Sequence, residues 1–222
     1  MGFGLLFFGF MMMLDSGWTI SETPYIGLDI FPDILGYICM YISMKHLRKS
    51  SKDLNIFAWI TLGLSALGGA LLIGQITAAV MRFVYPAGLE KAGLFIMICG
   101  YIKNPIMLAA VLYLTGGLKD VANSVGLYPL AKKTTVASVV SALYYLVQSV
   151  FTITSVANIP VPSVIFFAAA LLFYVQLFLI LSLIFSYYRQ IGYEGEDTSV
   201  KEHPLEKLRK KLKNAAKEDD ED

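Results

Sequence analysis

Residues 54–81 run for 28 positions without one Asp, Glu, Lys or Arg. A helix of that length rises about 42 Å at 1.5 Å per residue, more than the roughly 30 Å of a bilayer's hydrocarbon core. A water-soluble helix keeps a charged face, and this segment has none. It therefore sets the solvent for the rest of the chain, and composition agrees: 56% of residues are hydrophobic and 16% charged. The 18 Lys and Arg nearly cancel the 17 Asp and Glu, so no basic field recruits nucleic acid. The predicted fold class is all-α, a polytopic membrane helical bundle.

The same reasoning along the chain predicts six spans, at residues 2–15, 24–44, 54–81, 92–114, 134–156 and 163–187. The first is short. It has no Lys or Arg ahead of it and no small-x-small site after it, so it reads as a retained span and not a cleaved signal. The fourth is interrupted by Lys103 and Pro105. Residues 1–188 thus form the transmembrane domain, and 189–222 a polar tail.

Basic residues in the connections give the orientation. Lys45, Arg48, Lys49, Lys52, Lys119, Lys132, Lys133 and Arg189 fall on one side, and only Arg82 and Lys91 on the other. The positive-inside rule then places both termini in the cytoplasm. Trp18, Tyr25, Tyr85, Tyr187 and Tyr188 lie near predicted span ends, where amphipathic rings anchor at the interface. Ser65, Ala66, Gly68, Gly69 and Ala70 are small enough for close helix approach, which is ordinary packing more often than a dimer face.

In the tail, Pro204 suits a first helical turn, and Leu205, Leu208 and Leu212 recur at spacings of three and four among Lys207, Arg209, Lys210, Lys211 and Lys213. This predicts a short cytoplasmic amphipathic helix. It either rests on anionic lipid or a protein partner or stands solvated, and the acidic end from Glu218 to Asp222 opposes membrane contact.

Residue types for catalysis are sparse. His46 and His203 are the only histidines, both outside the predicted spans, and no Gly-x-Ser-x-Gly, His-Glu-x-x-His or Gly-x-x-x-x-Gly-Lys occurs. Cys39 and Cys99 stand apart in apolar segments, without the spacing of a metal site. The expectation is a chain that is not an enzyme and carries no cofactor or metal.

Charges at membrane depth are the exception. Asp29 and Asp33 open the predicted second span, and Lys103 and Asn104 sit inside the fourth. Asp33 is eleven residues from Met44 and Lys103 eleven from Leu114, which puts both roughly 17 Å from the basic side. If the two helices are neighbours, the charges pair. On a continuous helix Asp29 would lie one turn above Asp33. Pro32 and Pro105 would loosen the backbone beside them. This set is the candidate polar site, and a polar clamp between helices is the competing reading. Gln75, Gln148 and Gln176, one in each of three spans, either line a polar path or bond between helices.

The opening Met1-Gly2-Phe3-Gly4-Leu5-Leu6-Phe7 and the string from Leu28 to Tyr37 together resemble a group of uncharacterised multi-pass membrane proteins of Firmicutes. In that group a short first span leads to an Asp-x-x-Pro-Asp-x-x-Gly-Tyr element. The resemblance covers about the first fifty residues. It implies a bacterial plasma membrane and a retained first segment, and brings no activity with it. The sequence thus leads to a non-enzymatic membrane protein acting through interactions of its tail. A small-solute transporter or substrate-binding membrane subunit using Asp29, Asp33 and Lys103 is the alternative.

Overall fold

The computed structural model describes residues 2–13, 17–22, 25–29, 33–85, 88–156 and 162–192, with backbone alone for the strands and a few helical residues. Six helices form: α1 (Gly2–Met11), α2 (Asp33–Leu47), α3 (Lys52–Val84), α4 (Leu89–Ser124), α5 (Tyr128–Val156) and α6 (Ser163–Tyr187), the last running into a π-helical turn at Tyr188–Gly192. An antiparallel hairpin lies between α1 and α2. Its strands, β1 (Gly17–Glu22) and β2 (Tyr25–Asp29), pair from Gly17 opposite Asp29 to Glu22 opposite Tyr25, with an irregularity between Thr19 and Ser21. The chain is the helical bundle that its composition demands, with one small ribbon added. The tail helix expected around Leu205–Leu212 lies outside the described residues.

The hairpin corrects the predicted second span. Residues 24–44 are not one helix: Tyr25–Asp29 is a strand and α2 begins at Asp33. The sequence contains the reason, because Pro32 disfavours helical geometry at the residue before it, while Asp33 supplies the carboxylate that suits a first turn. Asp29 therefore ends a strand and is not one helical turn above Asp33.

Each helix packs against the next, and α6 closes on α1, so the bundle is a ring. Small residues set its tightest contacts. A Cβ on Gly9 would lie 2.8 Å from the Gly36 carbonyl oxygen, and one on Gly36 would lie 2.7 Å from that of Gly9, so α1 and α2 meet backbone to backbone. A Cβ on Gly68 would come within 3.2 Å of the Ile34 nitrogen, so the small patch of α3 is used inside the chain, against α2. Phe3 and Tyr187 stack with centroids 5.9 Å apart and join α1 to α6.

Hydrogen bonds tie one end of the ring together. Ser51 caps α3 by accepting from the Asp53 N–H at 3.2 Å, and its hydroxyl donates to Asp120 Oδ2 at 3.1 Å, near the end of α4. The Tyr187 hydroxyl donates to the Leu118 carbonyl at 2.7 Å and lies 2.9 Å from Thr134 Oγ1. Gly2 sits beside Ser43 and Leu47. The starts of α1, α3 and α5 and the ends of α2, α4 and α6 are thereby level, so the eight bases assigned to one side by sequence share one end. Tyr187, expected as an interfacial anchor, is instead fully buried there, because its hydroxyl finds two partners inside; Tyr188 and Tyr85 are exposed.

Among the described residues, four helices, α3 to α6, are long and apolar enough to cross a membrane. α1 has 10 residues and α2 has 15, short of the roughly 20 that a crossing needs. Large apolar side chains cover the outside of the four long helices, among them Ile73, Val80, Leu94, Ile98, Val139, Leu146, Phe167 and Phe178. In water such a surface is costly, and in lipid it is the ordinary exterior.

Candidate functional site

Asp33 is the first residue of α2, and Lys103 lies in the middle of α4. The Lys103 ammonium donates to Asp33 Oδ2 in a direct ion pair, with side-chain exposures of 23% for Lys103 and 10% for Asp33. α2 and α4 are not principal packing neighbours; each packs on α3. The pair therefore reaches across the inside of the ring. It can do so because Gly68 lets the start of α2 settle onto α3, and because a lysine carries its charge on a flexible four-carbon stem.

Other polar groups converge at this level. The Tyr145 phenol, on α5, lies within electrostatic range of Tyr144, Tyr37, Lys103 and Asp33. Tyr37 stands one turn below Asp33 on α2 and is buried. Gln148 Nε2 donates to the Tyr144 hydroxyl at 3.1 Å. Gln148 thus bonds within its own helix and not between helices. Gln176 of α6 is buried and Gln75 of α3 half-buried. Asn104 is half-buried on α4, about 100° round the helix from Lys103. The Asp29 side chain lies outside the described residues, as does Pro32, while Pro105 sits inside α4.

Below the tyrosines, α5 carries a polar stripe at Ser141, Ser138 and Thr134, spaced like one face of a helix. Thr115 of α4 donates to Ser138 at 3.1 Å, and Thr134 meets Tyr187. Several hydroxyls in the bundle satisfy themselves by bonding back to their own helix backbone, as Thr61 does to Ala58, Ser65 to Thr61 and Ser149 to Tyr145. Ser141 does not. Its hydroxyl is fully buried and has no hydrogen-bond partner among the described residues.

The hairpin bears on access to this centre. α1 and α2 stop at the level of the pair, and β2 packs on α3 and α4 in their place. A two-stranded ribbon leaves unpaired N–H and C=O groups along both edges, which hydrocarbon cannot solvate. Protein or water must meet them. Among the described residues no three His, Cys, Asp or Glu side chains come together to hold a metal ion.

The expectation for this site named Asp29, Asp33, Lys103 and Asn104, and the structure joins Asp33 to Lys103. It adds Tyr37, Tyr144, Tyr145 and Ser141, which sequence reasoning missed. The signal for the α5 residues was available in the recurrence of Thr134, Ser138, Ser141, Tyr145 and Gln148 at spacings of four and three. No family model, no curated protein and no solved structure matches the chain.

Proposed function

We propose that the protein is a multi-pass, non-enzymatic integral membrane protein that binds a small charged or zwitterionic solute at the Asp33–Lys103 centre. It acts as a small transporter or as the solute-binding membrane subunit of one. The observation that carries this reading is a charge pair that bridges non-neighbouring helices across the ring, among tyrosine hydroxyls, where two helices give way to a hairpin. A zwitterion has the complementary charges to replace each member of the pair, its carboxylate on Lys103 and its ammonium on Asp33. Exchange of that kind leaves neither buried charge unpaired.

The orientation proposed with it puts the basic end at the cytoplasm and the hairpin toward the other face, as the Lys and Arg distribution favours; the bacterial plasma membrane proposed for it rests on the resemblance of the first fifty residues. Action through the tail alone rests on residues outside the described ones and gains nothing from the geometry.

Thermal unfolding of the purified chain in detergent, against a panel of free amino acids and simple inorganic ions, tests the reading. At least one solute is expected to raise the wild-type Tm by several degrees and to leave the Asp33→Asn/Lys103→Gln variant unshifted. A wild type that answers to none of them, or a shift that persists in the variant, makes the pair a clamp between helices.

A further inference from the structure

At the basic end, away from the charge pair, α4 and α5 border an open recess of about 590 Å³ lined by Lys119 on α4 and by Tyr128, Pro129, Ala131, Lys132 and Thr135 on α5. Two lysines line this recess and no acid does. The adjacent acid in sequence, Asp120, accepts from Ser51 and is committed toward α3. The tight connection at Val125 to Leu127, where Gly126 takes φ 78°, puts the two lysines at similar depth on antiparallel helices, Lys119 six residues before Val125 and Lys132 five after Leu127, each about one and a half turns away. Like charges held side by side repel, and an anion between them removes the penalty.

We propose that this recess binds the phosphate headgroup of an anionic phospholipid. What selects a lipid over a free phosphate is the surface that continues from it. Leu112 lies two turns below Lys119 on the same face of α4, and Val136 and Val139 lie one and two turns below Lys132 on the same face of α5. All three are exposed, at 43%, 55% and 63%. A cationic rim thus leads into an apolar track that runs toward the middle of the bilayer. That is the shape of a headgroup with its acyl chains, and basic recesses between helices at the cytoplasmic face suit anionic headgroups.

Native mass spectrometry of the full chain, released from detergent with phosphatidylglycerol or phosphatidylcholine, gives the test. The wild type is expected to retain phosphatidylglycerol preferentially. Lys119→Gln/Lys132→Gln should weaken that retention roughly tenfold, and Lys119→Arg/Lys132→Arg should restore it. Lys45→Gln/Lys49→Gln removes the same charge from the same end and should leave retention near wild type. Equal losses from both glutamine pairs would reduce the effect to diffuse attraction and overturn the site. Displacement of the lipid by millimolar inorganic phosphate would overturn the lipid assignment, since a headgroup site with an acyl track resists a free anion. Both lysines are exposed, so unfolding curves in lipid-free detergent should coincide for all four proteins. A variant that melts early would be replaced by the single Lys132→Gln, for which a smaller loss of the same sign is expected.

Discussion

Lys103 brings a full charge into an apolar interior, and only the partner it finds makes this tolerable. Removing that partner, or the lysine, strands a partly buried ion. Lys103→Ala is therefore expected to destabilise the protein in detergent by roughly 3 kcal/mol, and Asp33→Leu/Lys103→Met to recover much of the loss; chemical unfolding of the three proteins checks both statements. A double variant no more stable than the single one would contradict the pairing. The shared depth of the two residues was legible in the sequence, since each lies eleven residues from a predicted inner boundary. Their contact across a ring was not legible, because periodicity gives the level of a side chain and not which helices stand opposite. The tyrosines were hidden for two reasons: near a span end, as at Tyr187, the ring is an ordinary interfacial anchor, and at mid-span, as at Tyr145, nothing local distinguishes a ring turned inward from one turned to lipid. Glycines divide the same way. Gly36→Ala drives a methyl against the Gly9 carbonyl and should cost about 1–3 kcal/mol, whereas Gly4→Ala, with nothing within 4 Å, should be neutral or stabilising by up to about 1 kcal/mol. Melting temperatures of the two variants decide this.

At the scale of elements, the four long helices followed from apolar length; α6 kept its expected bounds and α3 grew by two or three residues at each end, while α4 runs ten residues past Leu114 to Ser124 and α5 begins six residues before Thr134, at Tyr128. α2 was the miss. Twenty-one apolar-rich positions read as one span, yet the chain spends the first part of them in β2, because Pro32 stops helical propagation and Tyr25, Ile26 and Leu28 are residues that a strand accepts equally well. Short apolar runs do not by themselves distinguish strand from helix. The ends of elements are held by single side chains, Tyr187 above all. Its hydroxyl binds the Leu118 carbonyl and Thr134, joining three helices at the basic end. Tyr187→Phe keeps the packing and loses both bonds, for an expected cost of about 1–2 kcal/mol in the same unfolding assay. An unchanged stability would mean that water replaces the hydroxyl there.

For the whole molecule, the ring has two unlike halves. Six helices close the basic half, while in the other half α1 and α2 are replaced by a hairpin whose edges require protein or water. The placement of the chain's start is robust to how deep that first excursion goes. Gly2 and Leu47 lie together whether α1, hairpin and α2 reach the far surface or turn back within the membrane. Cysteines placed at Lys52 and Lys133 should therefore label from one face and at Glu90 from the other. Solute binding at the Asp33–Lys103 pair requires that water reach it from the face that bears Glu90. With Cys39 and Cys99 replaced by Ser, Lys103→Cys in sealed vesicles of known orientation can be challenged with a membrane-impermeant, charged methanethiosulfonate, using Leu114→Cys, buried deep in the basic half, as the unreactive control. Labelling of Lys103→Cys from the Glu90 face alone is the expected result; no labelling from either face, or labelling only from the face of Lys133, would contradict it.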